Sequence, residues 1–351
     1  MYILVAILIF GFLIFVHELG HFLAAKKCGV QVNEFSINMG PAIAQKTVGE
    51  TTYSLRCIPI GGYCAMEGEN EESDNPRAFS SQSWYKKVLI LIAGSFMNYL
   101  AGFLILTVIF SFAAGFSTSK IAEFYDGCPF EGPNGLQIND EIYQIDGKRV
   151  FQFSDVGMLL SRNTSGVYDL VVKRGGKTVS IPQFPMQRQK YVVEGKEEYL
   201  YGFLFQTEEK SFSSLLKNSF YGSLDFARLV WMGLGDLLRG TVSVNEMSGP
   251  VGIVSVIAET GQSSQSRLEA VVNIAYLAAF IAVNLAVMNM MPFPALDGGR
   301  VFFLLVNALF FFVTKKKIPE QYEAYVHAAG MVLLLAFMAF VTFKDIWKLI
   351  F

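Results

Sequence analysis

His17-Glu18-Leu19-Gly20-His21 stands inside the first apolar stretch of the chain, residues 1–25. On an α-helix, positions i and i+4 share a face, so both imidazoles can point at one metal ion. Glu18, about 100° further round the helix, can reach a water beside that metal. The pattern predicts a zinc site. The alternative is a helix surface that carries histidines by chance.

The apolar setting of these ionisable residues favours the zinc site. A stretch of this length can span a bilayer, and moving Glu18 into hydrocarbon costs roughly 2.5 to 3.5 kcal/mol on insertion scales. Such residues usually face a partner, a metal or a water-filled cavity. A divalent ion would supply the missing counter-charge.

The composition is that of a membrane protein. Hydrophobic residues make up 52% of the chain and charged residues only 17%, and there are 32 phenylalanines. The net charge of -2 comes without a basic patch or a charged tail, so we expect the lipid bilayer as a partner and no nucleic acid. The four cysteines form no CxxC pair, which disfavours both a disulfide framework and a cysteine zinc site.

Four apolar spans approach the length of the hydrocarbon core: residues 2–25, 88–112, 274–291 and 327–343. A fifth apolar run, residues 301–313, has about a dozen residues and is too short to cross alone. We therefore interpret it as the continuation of the third span beyond a break. The predicted fold is an α-helical polytopic membrane protein with about four transmembrane helices.

Lysines in the short flanks of the spans predict the orientation. Lys26-Lys27, Lys86-Lys87 and Lys315-Lys316-Lys317 lie in flanks that should be cytoplasmic. Both termini and the region from about residue 115 to residue 266 are then extracytoplasmic, in a bacterial cell membrane. His17 and His21 lie towards the cytoplasmic side. A longer or inverted topology is the alternative.

Two further segments have recognisable patterns. Residues 32–66 carry β-type residues with turn signals at Gly40-Pro41, Val48-Gly49 and Gly61-Gly62, which predicts a membrane-associated region of one or two β-hairpins directly after the first helix. Residues 211–240 mix large apolar residues with charged ones, as in an interfacial amphipathic helix.

The extracytoplasmic stretch carries strand and turn patterns at residues 135–147 and 168–177. This arrangement resembles a PDZ domain, in which a peptide adds to a sheet edge. Asn139 stands where that family usually has glycine. A β-rich domain without a ligand is the alternative.

The predicted organisation has four parts. They are residues 1–115, with two spans, the metal motif and the hairpin region; 116–210, the PDZ-like domain; 211–269, an amphipathic membrane-associated segment; and 270–351, with the last two spans.

A second motif breaks the third span at residues 289–299, Asn-Met-Met-Pro-Phe-Pro-Ala-Leu-Asp-Gly-Gly. Each proline removes a backbone donor, and such a break is tolerated at membrane depth only where it faces an interior cavity. Two histidines leave a catalytic zinc short of its usual three protein ligands, and Asp297 can provide the third. Asn289 could donate to a developing oxyanion or hold the substrate backbone, or it could only cap the broken helix.

The HExxH motif in the first span, the PDZ-like insert and the NxxPxPxLDGG motif together resemble the site-2 protease family, the M50-type intramembrane zinc metalloproteases, in its bacterial RseP-like branch. The similarity covers most of the chain. It implies Zn²⁺ held by His17, His21 and Asp297, with Glu18 as the catalytic base.

The resemblance also implies the activity. Such an enzyme cuts transmembrane segments of other proteins, often anti-sigma factors or remnant signal peptides, after a first cut outside, in regulated intramembrane proteolysis. The hairpin region is assigned to substrate engagement, because an exposed sheet edge could hold an unwound substrate.

Two other functions are compatible with parts of the sequence. A catalytically silent scaffold could bind peptides through the PDZ-like domain, but it would not need His17, Glu18, His21 and Asp297 together. A metal transporter should show further ligands along several spans, whereas the second and fourth spans offer essentially Asn98 and His327. We interpret His327 as interfacial.

Overall fold

The computed structural model describes residues 2–69, 73–193, 195–243, 248–316 and 320–350. Its helices are α1 (Tyr2–Cys28), α2 (Trp84–Ser111), α3 (Phe153–Arg162), α4 (Phe212–Arg239), α5 (Pro250–Ser263), α6 (Arg267–Asn289), α7 (Asp297–Thr314) and α8 (Glu320–Ile350). Its strands are β1 (Val32–Val48), β2 (Thr51–Met66), β3 (Gly115–Phe124), β4 (Glu141–Ile145), β5 (Lys148–Arg149), β6 (Val167–Arg174), β7 (Lys177–Pro185), β8 (Gln189–Val193), β9 (Lys196–Leu200) and β10 (Phe203–Glu209). These elements form two units, one of Met1–Leu106 with Phe226–Phe351 and one of Thr107–Asp225.

Within the described ranges, five helices are long and apolar enough to span a membrane: α1, α2, α6, α7 and the Tyr322–Lys348 part of α8. The chain is therefore a polytopic membrane protein. The fifth candidate, α7, exceeds the short run expected from sequence because the helix begins at Asp297 and contains 18 residues. At 1.5 Å per residue it is about 27 Å long, close to the thickness of the hydrocarbon core. The number of crossings and their orientation stay predictions.

In the helical unit, α1 packs against different neighbours at its two ends. Its first half forms an apolar cluster with α5 and α6, including Ala6, Leu13, Ile257 and Ile281. Its second half packs with β1, β2, α2 and α7 in a second cluster, which includes Ala25, Val30, Phe35, Ile90 and Val301. The HExxH motif is thus held between two packed clusters.

A glycine lets α1 and α2 approach each other closely. A Cβ atom at Gly20 would lie 2.3 Å from the carbonyl oxygen of Ala93, so a larger residue would push the two helices apart. Small residues at such crossings allow backbones to pack directly, as in other membrane proteins. The crossing brings α2 beside both histidines of α1.

The region between α1 and α2 forms a sheet of two long strands, β1 and β2, which turn at Gly49 with φ +64°. The first half of β1 pairs with two parts of β2, so that Phe35 lies opposite both Tyr53 and Cys64. Residues 41–50, which form the end of β1 and the turn of the hairpin, are exposed. The sheet follows α1 after only three residues, which ties its position to the helix of the HExxH motif.

The unit Thr107–Asp225 contains an antiparallel β-sheet with strand order β10-β3-β4-β6-β7, with β5 paired to β4, and a separate hairpin of β8 and β9. Helix α3 contributes buried apolar side chains, among them Val156 and Leu159. Asn139 has φ +72°, in the left-handed region that asparagine tolerates better than most residues. This backbone shape explains how asparagine can stand in place of glycine. The PDZ-like assignment stays a prediction.

Two buried carboxyl groups connect α3 with α4 inside this unit. The Oδ2 atom of Asp155 accepts hydrogen bonds from the backbone N–H groups of Phe151 (2.7 Å) and Gln152 (3.3 Å). The Oδ2 atom of Asp225 accepts from Gln152 Nε2 at 2.5 Å and from Ser154 Oγ at 3.0 Å. Burial, followed by the hydrogen bond and charge of Asp155, raises the pKa of Asp225 to about 7.

This carboxyl pair should make the unit less stable at alkaline pH. A pKa that is higher in the folded than in the unfolded state stabilises the fold fully below the unfolded value of 3.8, and this stabilisation is lost progressively as the pH rises from there to about 7. The loss is at most about 4 kcal/mol. In the full chain, amide hydrogen exchange of α3, corrected for its intrinsic pH dependence, should show less protection at pH 8 than at pH 5.5. Asp225→Asn should remove this difference, and an unchanged pH profile in the variant would contradict the assignment.

Candidate metal centre

Three side chains from two distant parts of the chain converge in the helical unit. The Nε2 atoms of His17 and His21 are 3.1 Å apart. The Oδ2 atom of Asp297 lies 3.1 Å from the first and 3.3 Å from the second. The four-residue spacing of the histidines on α1 puts both rings on one face, and the start of α7 brings the carboxylate to them.

The ring of His21 is oriented by the main chain of α2. Its Nδ1 lies 2.8 Å from the carbonyl oxygen of Ile90, and His21 is buried. Because a carbonyl oxygen can only accept, Nδ1 carries the proton and donates it. In the neutral ring, Nε2 then presents a lone pair toward Asp297. Ligating histidines commonly donate their other ring N–H in this way.

The ring of His17 faces Asn98 on α2. The Nδ2 atom of Asn98 is 3.5 Å from His17 Nδ1, and Asn98 is buried. The other amide atom, Oδ1, has no hydrogen-bond partner among the residues that the structure describes. Turning the amide over would let Oδ1 accept the proton of His17 Nδ1 and leave Nε2 free as a ligand. Asn98 is thus suited to orient His17.

Gly94 provides the space in which the two imidazoles lie. A Cβ atom at Gly94 would lie 2.4 Å from His21 Nε2 and 2.7 Å from His17 Cε1. Only glycine allows α2 to pass this close to both rings. The site therefore depends on a residue that has no side chain.

The loop between α6 and α7 carries Asp297 into the site. It folds tightly against the start of α7, because a Cβ atom at Gly298 would lie 2.3 Å from the Met290 carbonyl group and one at Gly299 would lie 2.2 Å from the Phe293 carbonyl oxygen. These two glycines allow α7 to begin at Asp297 directly beside the loop. The proline-containing motif thus builds a compact turn that ends in a carboxylate.

Glu18 and Asn289 were the other two predicted site residues. Glu18 is partly buried beside β2, where a Cβ atom at Gly62 would lie 3.5 Å from Glu18 Cγ. It follows His17 on α1, next to the converging donors. Asn289 is the last residue of α6 and is partly buried. Its role in binding substrate stays a prediction.

The geometry of the three donors fits a zinc ion. Donors about 2.0 to 2.1 Å from a tetrahedral zinc are roughly 3.3 to 3.4 Å apart, close to the separations of 3.1 to 3.3 Å between His17, His21 and Asp297. Asp297 Oδ2 is buried without a hydrogen bond to any described residue. With neutral imidazoles, three lone pairs would face one another, and a cation between them would satisfy all three.

Comparison with known proteins also indicates a zinc-dependent peptidase. The sequence model of peptidase family M50 matches residues 5–337. The chain belongs to peptidase family M50. The span that matches this M50 model includes both metal motifs and all five predicted site residues.

The relatives of this chain include proteins that bear the name "Putative zinc metalloprotease". The protein from Clostridium perfringens is 33% identical over 348 residues, which cover 99% of this chain and 98% of the relative. The protein from Fusobacterium nucleatum is 36% identical over 359 residues, with 99% and 98% coverage. The protein from Clostridium acetobutylicum is 32% identical over 350 residues, with 98% and 97% coverage. The similarity to these relatives therefore extends over nearly their whole length.

Proposed function

We propose that this M50 peptidase is a zinc-dependent endopeptidase that hydrolyses peptide bonds within transmembrane segments of membrane proteins. Family membership makes the chain a metalloprotease. The observation that carries the intramembrane assignment is that His17 and His21, on the apolar helix α1, meet Asp297 at the start of another apolar helix. The two helices that carry these residues, α1 and α7, are themselves candidate membrane spans.

His17, His21 and Asp297 would hold the zinc ion. When bound, zinc supplies a Lewis acid that lowers the pKa of water towards 7 and polarises the scissile carbonyl group. Glu18 accepts the proton of the attacking water and later delivers it to the leaving amine. Asn289 donates its amide to the developing oxyanion or to the substrate backbone.

The sheet of β1 and β2 beside α1 could hold the substrate in an extended conformation. A transmembrane helix hides its peptide bonds in internal hydrogen bonds, so the substrate must be extended before it is cut. Residues 62–66 of β2 pair with β1, and Gly62 lies beside Glu18. An extended substrate that adds to this sheet would be held next to the catalytic base.

The substrate class and the topology complete the proposal. M50 peptidases of the membrane act on membrane proteins, and we propose anti-sigma factor-like proteins or remnant signal peptides as substrates of this chain. The PDZ-like unit would bind a peptide and so recruit or exclude substrates. The enzyme would lie in the bacterial cell membrane with extracytoplasmic termini and its active site towards the cytoplasm.

The test is zinc analysis combined with a cleavage assay. Asp297→Ala should bind zinc at least roughly 10- to 100-fold more weakly, because removing a ligand harms binding no less than removing a residue that orients one. Cleavage of a co-reconstituted tagged transmembrane substrate should fall with the zinc content. Asp126→Ala, at an exposed aspartate, is the matched control and should retain both properties. A zinc-free wild-type protein, or a fully active Asp297→Ala variant, would overturn the proposal.

A further inference from the structure

The third histidine of the chain holds the loop that precedes Asp297. His327 lies on α8, and its Nδ1 accepts a hydrogen bond of 3.0 Å from the backbone N–H of Ala295. The imidazole is largely buried, with 16% of its side chain exposed, and its ring packs 5.4 Å from the ring of Phe303 on α7. His327 is thus part of the packed interior around the loop. The interfacial depth expected for His327 from the sequence stays a prediction.

The residue that His327 holds has a strained backbone. Ala295 has φ +79°, in the left-handed region, which costs a residue with a Cβ atom roughly 1 to 2 kcal/mol. Such a conformation persists only where the surroundings enforce it. Ala295 is two residues before Asp297, so any relaxation of its backbone would move the carboxylate.

A second contact from the same face of α8 meets the same loop. Gly330, one turn after His327, packs so closely on Pro294 that a Cβ atom would lie 2.3 Å from the proline Cβ. Gly330 lets α8 approach the loop closely at Pro294, and His327 accepts a hydrogen bond from the backbone N–H of the next loop residue, Ala295. Packing alone would not select the orientation of the Ala295 N–H, whereas an acceptor does.

We propose that His327 is a positioning residue of the metal centre, which holds Ala295 in its left-handed conformation so that the Asp297 carboxylate meets His17 and His21. This inference rests on the proposed function, because it assigns a role in the same metal centre. His327 acts through the loop and would not ligate the metal. Its useful atom is the acceptor at Nδ1, because that atom receives the N–H of Ala295.

The test compares three substitutions at His327 in the full-length purified protein. Asparagine places an amide oxygen close to where Nδ1 lies, leucine removes the acceptor, and phenylalanine removes it but keeps a ring against Phe303. Zinc affinity is measured by competition with a chelator, and thermal unfolding is recorded beside it. His327→Leu and His327→Phe should bind zinc roughly 10- to 100-fold more weakly, as expected when an orienting group is lost. His327→Asn should bind like the wild type.

Two results would overturn the inference. The first is wild-type zinc affinity in His327→Phe or His327→Leu. The second is an equal loss in His327→Asn and His327→Phe, because the acceptor would then be irrelevant. Tyr325→Leu, at an exposed residue of the same helix, is the control for a general effect of altering α8. Zinc is measured without substrate, so a wild type that binds zinc but cuts nothing would contradict the proposed function and leave this comparison decisive.

Discussion

Glutamine in place of Glu18 is expected to leave zinc bound and to lower cleavage of a transmembrane substrate at least roughly 100-fold. Glutamine has nearly the same shape as glutamate, but its amide cannot accept and return the proton of the attacking water. General acid–base groups typically contribute 10²- to 10⁴-fold to a rate, which sets the expected range. Because His17, His21 and Asp297 are untouched, the zinc content should match that of the wild type.

The measurement is single-turnover cleavage of a tagged substrate in proteoliposomes, with zinc determined on the same samples. Glu259→Gln, at an exposed position of α5, is the matched control and should cleave normally. Undiminished cleavage by Glu18→Gln would exclude Glu18 as the base. A peptide-binding scaffold would predict no effect of Glu18→Gln on any function.

Alanine in place of Gly94 is expected to remove zinc binding while the helices still fold. The added Cβ atom would lie 2.4 Å from His21 Nε2 and 2.7 Å from His17 Cε1, so both rings would have to turn away. The rings can move because they are the ends of side chains, and alanine favours a helix over glycine by about 1 kcal/mol. Zinc binding should weaken more than roughly 100-fold, because both imidazoles leave their places and a lost orienting group alone costs 10- to 100-fold.

The control for Gly94 is a glycine with free space around it. Gly11 lies on α1, and a Cβ atom there would meet nothing within 4 Å. Gly11→Ala should therefore keep both zinc and cleavage. Chelator competition and thermal unfolding are measured on both variants. Normal zinc affinity in Gly94→Ala would show that the rings do not need this space.

The residue types and spacing of the two motifs predicted which side chains could meet at a metal. The four-residue spacing of His17 and His21 has one geometric meaning on a helix, and the helix-breaking residues before Asp297 indicated an interior turn. The structure brings these three side chains together. The motifs alone predicted this meeting because each places ligand atoms in an apolar segment, where burying them without a partner is costly.

The supporting residues could not be identified in the same way. Gly94, Asn98 and His327 act through contacts with helices or loops far away in sequence, and nothing in their own neighbourhood reveals the partner. An isolated glycine or asparagine in an apolar helix has many possible roles. The length of α7 was also underestimated, because the polar residues at its start interrupted the apolar run.

The carbonyl oxygen of Ile90 that orients His21 belongs to the main chain, and no side-chain replacement at position 90 deletes it. His17 instead faces a side chain, that of Asn98, which a single codon change can alter. The two imidazoles should therefore differ in how freely they can be engineered. Libraries aimed at retuning metal preference should vary Asn98 first, because the corresponding partner of His21 is a main-chain carbonyl group that no substitution removes.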